Sequence, residues 1–278
     1  MGADALVLDS VTHLPAAPEA RGSGDAEGPA ALCASHGGVY AAWYAARRGV
    51  SSVILHDAGV GREQAGIGGL DWLGARGVPG ACVGHMTARI GEGADMLARG
   101  TLSFVNAPAA ALGLEPGMPA AEALRILAEA RLPAASAADD MDEARREIEG
   151  AGRAGIRVLA LDSNGLVVPA DAWQVVVTGS HGGLLGGRPE TAVKAPVLAA
   201  LYNDAGIGVD GAGVSRLPAL QDGGIAGACV SCFSARIGDA MSTWNDGFVS
   251  ALNPLAVQRG GRIGQSARDF VAAILEHH

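Results

Sequence analysis

An internal duplication constrains the fold of this chain more than any other feature of its sequence. Three motifs of the first half recur 147 residues later (204 − 57 for the first): DAGVG at 57–61 as DAGIG at 204–208, GACV at 80–83 again at 227–230, and ARIG at 88–91 again at 235–238. The motif SHGG at 35–38 recurs at 180–183, at an offset of 145. A repeat this long exceeds a solenoid repeat and indicates a duplicated domain or half-domain.

The repeat predicts the domain organisation. We expect a first unit at 1–130, a connecting helix or linker at 131–155 and a second unit at 156–276. Within the linker, the polar segment DDMDEARREIEGAG at 139–152 favours a helix that ends at glycine. The last two residues, His277 and His278, resemble the start of an expression tag, and we exclude them from the chemistry.

Apolar segments and helical patterns alternate at short spacing in both halves. The segments ALCAS at 31–35 and VVVTGS at 175–180 are typical of strands buried on both faces. Helical patterns follow them, at 39–49 in the first half and at 190–201 in the second. This alternation predicts βαβ units. The expected fold class is α/β, with mostly parallel sheets in two halves related by a pseudo-two-fold axis.

Composition and charge exclude several classes of function. The net charge of −9 and the near absence of lysine argue against nucleic-acid binding and against an anionic membrane surface. No apolar run is long enough to cross a membrane, and no signal-peptide pattern begins the sequence, which favours a cytoplasmic protein. Because 49% of the residues are apolar and only 18% are charged, we expect a homo-oligomer.

A set of polar residues and glycines follows the predicted strands in both copies. The carboxyl ends of parallel strands meet at one edge of a sheet, where open α/β folds bind ligands. The predicted catalytic residues are His181, Asp204, His36, Asp57, Ser180, Cys232 and His85. The predicted substrate-binding residues are Arg236, Arg89, Gly182, Gly183, Gly37, Gly38, Asn253 and Asn106.

Each of these residues also has a structural interpretation. A histidine or aspartate at a strand end can cap a helix, and an arginine can form an internal ion pair. The repetition of these polar residues in both copies favours a functional role, because the requirements of folding would retain glycines more readily than a set of polar side chains. The copies differ at one position of interest: His85 of the first aligns with Cys232 of the second. One shared site and two separate sites both stay open.

The residue types indicate acid–base chemistry on a small polar metabolite. Histidine beside aspartate suits proton transfer, arginine suits a carboxylate, and amides at a Gly-Gly turn suit an oxyanion. No nucleotide-binding motif is present, so no cofactor is predicted, and a divalent metal stays open.

The leading hypothesis is a cofactor-independent hydrolase of a C–N bond in an anionic or amide-bearing substrate. One alternative is a lyase or an isomerase, including a racemase, in which His85 and Cys232 are opposed bases. Another is a regulatory module that binds a small anion without catalysis.

Overall fold

The computed structural model describes residues 5–16, 27–137 and 140–277. Three of the predicted segments lie partly outside the described residues. These are the first unit (at 1–4 and 17–26), the linker (at 138–139) and the tag remnant (at His278). Within the described residues, no helix has both the length and the apolar character needed to cross a membrane.

The described residues form two compact units. Unit 1 takes its residues from Met1–Gly59, Ala65–Met141 and Gly208–Asp210, and unit 2 from Val60–Gln64, Asp142–Ile207 and Gly211–His278. Each unit therefore includes a short segment from the other half of the sequence. These two short segments cover partly equivalent positions of the two copies, because position 61 of the first copy is equivalent to position 208 of the second.

Unit 1 contains a five-stranded sheet whose strands lie side by side in chain order. The first four strands are parallel, and the fifth pairs antiparallel with the fourth. The strands are β1 (Leu6–Leu8), β2 (Ala30–His36), β3 (Ser52–His56), β4 (Gly80–Val83) and β5 (Leu102–Val105). The helices are α1 (Val39–Arg47), α2 (Gly69–Gly74), α3 (Gly93–Arg99), α4 (Ala107–Ala111) and α5 (Ala120–Glu129).

The central strands of unit 1 are buried on both faces. Leu32 of β2 and Ile54 of β3 belong to one apolar cluster with Leu124 and Leu127 of α5. Side chains alternate across a strand, so the neighbours of Ile54 point to the opposite face, and they too are fully buried. Continuous apolar strands are the expected consequence of covering both faces.

Unit 2 repeats this topology with one additional strand. Its six-stranded sheet has four parallel strands and an antiparallel strand at each edge. The strands are β6 (Arg145–Glu147), β7 (Val158–Leu161), β8 (Val175–His181), β9 (Ala199–Asn203), β10 (Ala226–Val230) and β11 (Val249–Leu252). The helices are α6 (Arg216–Asp222), α7 (Ala240–Asp246), α8 (Pro254–Gln258) and α9 (Ala267–Glu276).

Both faces of the second sheet are also covered by apolar side chains. Val177 packs in one cluster with Phe270 and Ile274 of α9. Val176, on the opposite face, belongs to a second cluster with Leu220 of α6. Two mostly parallel sheets with interleaved helices confirm the predicted α/β fold in two halves.

The predicted helix over residues 190–201 is wrong. The structure has a single 3-10 turn at Pro189–Thr191, followed by an irregular segment and then β9. Pro196 lies in the middle of the predicted helix and lacks the N–H that a helix interior needs. The following residues pair instead with the neighbouring strands β8 and β10, which satisfies their backbone groups.

The predicted helix in the linker is also wrong where the structure describes it. Residues 145–147 form the edge strand β6, which pairs antiparallel with β7. The guanidinium of Arg145 binds both carboxylate oxygens of Asp171, which is fully buried. The amide of Ala144 also donates to the carboxylate of Asp162. These distant partners outweigh the local helical preference of the segment.

Candidate functional site

Three neighbouring parallel strands of unit 1 bring polar residues to one edge of the sheet. His36 ends β2, Asp57 directly follows β3, and His85 lies two residues beyond β4. In unit 2 the corresponding strands place His181, Asp204 and Cys232 at the equivalent edge. Each unit therefore has the carboxyl-edge arrangement that the sequence predicts, and its contacts decide what the side chains can do.

The two histidines of the SHGG motifs bind the backbone of their own turns. Nδ1 of His36 accepts a hydrogen bond from the amide of Gly38, and Nδ1 of His181 accepts one from Gly183, both at 3.2 Å. With Nδ1 as acceptor, the neutral ring carries its proton on Nε2. Burial, together with the like charge of His56, lowers the pKa of His36 to about 4. His36 is therefore a neutral hydrogen-bond donor at neutral pH.

The glycines of the first SHGG motif permit close packing. The amide of Gly37 donates to the carbonyl of His56 at 2.7 Å, and a Cβ at Gly37 would lie 2.5 Å from Sγ of Cys82. A Cβ at Gly38 would lie 2.7 Å from Nδ1 of His36. Only glycine fits at either position without a shift of its neighbours.

The second SHGG motif has the same contacts. The amide of Gly182 donates to the carbonyl of Asn203 at 2.8 Å, and a Cβ there would lie 2.6 Å from Sγ of Cys229. Because Gly183 donates to His181, the Gly-Gly amides of both motifs already have acceptors within their own units. This geometry favours a packing role for the glycines over the expected oxyanion role.

Asp57 and His85 form a hydrogen-bonded pair in unit 1. Oδ1 of Asp57 lies 3.0 Å from Nδ1 of His85 and accepts a second bond, at 2.9 Å, from the amide of His85. It also accepts the amide of Gly59 at 3.0 Å. Burial opposes ionisation of Asp57, but the hydrogen bond from His85 and the nearby His56 hold its pKa below the usual value. The carboxylate therefore stays charged and fixes the orientation of an imidazole that is 28% exposed.

Asp204 makes the same backbone contacts in unit 2 without an imidazole. Its Oδ1 accepts the amides of Gly206 at 3.0 Å and of Cys232 at 2.9 Å. Both carboxylates thus fasten the DAG turn to the loop after the next strand. The histidine is present only in unit 1, since position 232 holds a buried cysteine.

The residues that precede these aspartates have equivalent structural roles. Nδ1 of His56 accepts the amide of Ala58, and its Nε2 lies 3.1 Å from the carbonyl of Ala88. In unit 2 the amide side chain of Asn203 makes the corresponding two bonds, to Ala205 and Ala235. Burial lowers the pKa of His56, which keeps the ring neutral. His56 therefore replaces an asparagine in the architecture of the turn.

The serines of the SHGG motifs accept backbone hydrogen bonds. Oγ of Ser35 accepts the amide of Val11 at 2.9 Å, and Oγ of Ser180 accepts the amide of Asn164 at 2.8 Å. Each serine therefore connects the end of its strand to the turn after the preceding strand. These contacts do not include a base that would activate the hydroxyl as a nucleophile.

The two arginines predicted to hold a carboxylate already hold protein carboxylates. Arg89 contacts Asp210 at 3.0 Å and Glu92 at 3.4 Å, all within unit 1. Arg236 contacts Asp239 at 2.9 Å and Glu63 at 3.1 Å, within unit 2. Ion pairing accounts for their positions without a substrate.

The predicted asparagines are buried and fully engaged in hydrogen bonds. Oδ1 of Asn106 accepts the amides of Gly80 and Ala109, and Nδ2 donates to the carbonyls of Leu70 and Val78. Asn253 makes the four equivalent bonds in unit 2. Each asparagine caps a helix and fastens it to a strand. A substrate would have to displace one of these bonds.

No cluster that suits a metal ion occurs among the residues that the structure describes. A site would need at least three histidine, cysteine, aspartate or glutamate side chains grouped together, and the described residues contain no such group. The four cysteines are buried, and burial raises the pKa of Cys33 to about 12.

One buried residue that the sequence did not single out is prominent in the structure. Arg216, the first residue of α6, is only 2% exposed. Its Nε donates to the carbonyl of His181, its Nη1 donates to the carbonyls of Thr191 and Ala192, and its guanidinium lies 5.1 Å from the centre of the Tyr202 ring. The sequence contains one indication of this residue: position 216 is arginine, whereas the equivalent position of the first copy is Gly69.

Comparison with protein-family models, with curated proteins and with solved structures gives no match to this chain. Its function must therefore be inferred from its own residues and contacts.

Proposed function

We propose that this protein is a cofactor-independent hydrolase that cleaves a C–N bond in a small amide or cyclic amide. The observation that carries the proposal is the hydrogen-bonded pair of Asp57 and His85 at the carboxyl edge of the sheet in unit 1. A carboxylate that orients a partly exposed imidazole is a recurring arrangement for general acid–base catalysis.

The pair has the polarity that a general base needs. Asp57 accepts the Nδ1 proton of His85, so the neutral imidazole keeps its lone pair on Nε2. That nitrogen is suited to removing a proton from water as the water attacks an amide carbonyl. The charge of Asp57 then stabilises the imidazolium, which returns the proton to the leaving nitrogen. No metal or cofactor is needed for these proton transfers.

His36 supports the same chemistry in a different role. Its Nδ1 is occupied by the amide of Gly38, and it stays neutral because its pKa is lowered to about 4. A neutral imidazole with Nε2–H is a hydrogen-bond donor that can stabilise negative charge on a carbonyl oxygen. We therefore assign His36 as a donor to the substrate and His85 as the base.

A panel of small linear and cyclic amides tests the proposal through matched variants. The substitutions His85→Ala and Asp57→Asn are expected to lower kcat by about 10²–10⁴-fold, the usual contribution of a general base. Asp204→Asn is the matched control, because Asp204 makes the same two backbone contacts without an imidazole. It is expected to keep kcat within about twofold.

Two results would contradict the proposal. One is that the unaltered protein releases no amine or ammonia from any member of the panel. The other is that Asp204→Asn and Asp57→Asn lower kcat equally, because the common effect would then come from the turn and not from the imidazole.

A further inference from the structure

We propose that Arg216 binds the carboxylate group of a small metabolite in unit 2. Arg216 has a buried positive charge without a counter-ion among the residues that the structure describes. Arg216 is 2% exposed, and its contacts are to backbone carbonyls and to an aromatic ring. Among the described residues, no aspartate or glutamate pairs with it, whereas Arg145, Arg157 and Arg236 of the same unit each pair with a carboxylate. An unpaired buried charge is costly, and an anion from solution would offset that cost.

The donors of the guanidinium are only partly used. Arginine has five N–H groups: one on Nε and two on each terminal nitrogen. The carbonyl of His181 takes the Nε proton, and the carbonyls of Thr191 and Ala192 take the two on Nη1. Nη2 donates to no protein acceptor among the described residues, and it is not one of their fully buried unpaired side-chain atoms, of which Oγ of Ser52 is the one found. Two N–H groups therefore remain for a ligand.

The side chain is held in one orientation before any ligand arrives. Three carbonyls fix two of its nitrogens, and the ring of Tyr202 lies 5.1 Å from its central carbon. Tyr202 is itself fully buried, and its hydroxyl donates to the carbonyl of Ala192. A donor fixed in this way loses little conformational entropy on binding, which favours affinity.

The remaining donors favour a carboxylate over a phosphate. One buried positive charge is neutralised by one negative charge, which a carboxylate supplies at neutral pH. A phosphate that carries a second charge would leave that charge buried and unpaired. With Nε and Nη1 occupied, a bidentate fork is not available, and the carboxylate is bound through Nη2 alone. The ligand class is therefore a small monocarboxylate.

The site adjoins the second SHGG motif and occurs in unit 2 only. The amide of Arg216 donates to the carbonyl of Gly182, and its side chain donates to the carbonyl of His181. In unit 1 the equivalent residue is Gly69, where even a Cβ would lie 2.7 Å from the carbonyl oxygen of Gly37. No side chain fits there without a shift. Binding of a carboxylate at Arg216 needs no turnover and does not involve the pair of Asp57 and His85.

The experiment measures thermal unfolding of the full chain while acetate replaces chloride at constant ionic strength. We expect a saturable rise of the Tm, by about 2–4 °C at five times the dissociation constant. Arg216→Gln is expected to abolish the saturable part. The matched control is Arg259→Gln, since Arg259 also donates to a backbone carbonyl in unit 2, that of Leu198. This control should keep the full acetate response.

Three outcomes overturn the proposal: no saturable effect of acetate, an effect that persists in Arg216→Gln, or saturation by inorganic phosphate at lower concentration than by acetate. If Arg216→Gln does not fold, nuclear magnetic resonance of the unaltered protein tests the proposal instead. The Nε–H resonance of Arg216, identified by its contact with the Tyr202 ring, shifts with acetate if the proposal is right and stays fixed if it is wrong.

Discussion

The DAG turns that follow β3 and β9 make the same backbone contacts in the two units but differ in their chemistry. In both units an aspartate oxygen accepts two backbone amides, from the DAG turn and from the loop after the next strand. Only Asp57 also binds an imidazole, because position 85 is histidine where position 232 is cysteine. The difference teaches that a polar residue repeated in both copies can be retained by folding alone. Functional residues are better sought where the copies differ.

The largest expected effect comes from making the first loop resemble the second. His85→Cys keeps the backbone amide that binds Asp57 and removes the imidazole. We expect kcat on the amide panel to fall by about 10²–10⁴-fold, because the proposed general base is removed. The Tm should change by no more than about 2 °C, since the turn keeps its hydrogen bonds. Steady-state kinetics and thermal unfolding of the same preparation give both values.

A large loss of stability in His85→Cys would contradict this comparison. It would mean that the imidazole, like the carboxylate, mainly supports the turn. Retained activity would contradict the assignment of His85 as the base.

The next effect concerns Asn106 and Asn253, which have equivalent contacts in the two units. Asn253→Ala removes four hydrogen bonds and leaves buried backbone groups without partners. We expect a loss of about 2–5 kcal/mol in the free energy of unfolding, and a similar loss for Asn106→Ala. Urea unfolding measures both. Asn245→Ala is the surface control, with an expected change of about 0.5 kcal/mol or less.

The asparagine comparison fails if either alanine variant is as stable as the control. In that case the buried groups would find other partners. The side chain would then be available to a ligand, as the sequence suggests.

A smaller effect on stability, which depends on pH, is expected when His56 is replaced by asparagine, the residue at the equivalent position 203. Burial lowers the pKa of His56 in the folded protein, whereas in the unfolded chain it is about 6.5. Below that pH the unfolded state binds the proton and the folded state does not, so stability falls as the pH falls. His56→Asn should cost about 1 kcal/mol or less at pH 8, because Asn203 makes both equivalent bonds.

Urea unfolding at pH 8 and at pH 5 tests this prediction. The variant should lose less stability than the unaltered protein between the two values. An equal loss would mean that other groups control acid sensitivity, with His36 as the first candidate since its pKa is also lowered, to about 4.

The smallest expected effect concerns Arg236. Its guanidinium binds Asp239 and Glu63, and its side chain is 35% exposed. Exposed ion pairs contribute about 0–1 kcal/mol, so Arg236→Gln should change stability by no more than that. The KM for an active amide should stay within about threefold. An increase of tenfold or more at unchanged kcat would instead support the substrate clamp that the sequence suggests.

Much of the fold could be predicted from the sequence. Buried parallel strands have continuous apolar runs, and the motifs at their ends mark where the chain turns, as at Gly37 and Gly182. The two failures have a common cause. Residues 190–201 and 139–152 have local helical patterns. Pro196 and the pairing of β6 with its neighbours, including the contact of Arg145 with buried Asp171, decide the conformation of the described parts of these segments. Local propensity is a weak preference that distant contacts override.

Less of the candidate site could be predicted. The sequence correctly brings the histidines, aspartates and position 85 to strand ends of the sheets, because strand direction is set by the βαβ pattern. It does not reveal that Arg89 is paired with Asp210 or that Asn253 has no unused hydrogen bond. Those facts depend on residues far away in the chain. Arg216 was missed for the same reason.

The amino-acid sequence by itself determined the duplication, the alternation of strand and helix, and the positions at which polar side chains leave each sheet. These follow from side-chain periodicity and from the backbone freedom of glycine, which are local properties. Only the tertiary structure decided which of those side chains has bonding capacity left. Each donor and acceptor can satisfy few partners, and folding assigns those partners from across the chain. A repeated motif therefore fixes where a site can lie, while the surrounding contacts fix whether its groups are available to a substrate.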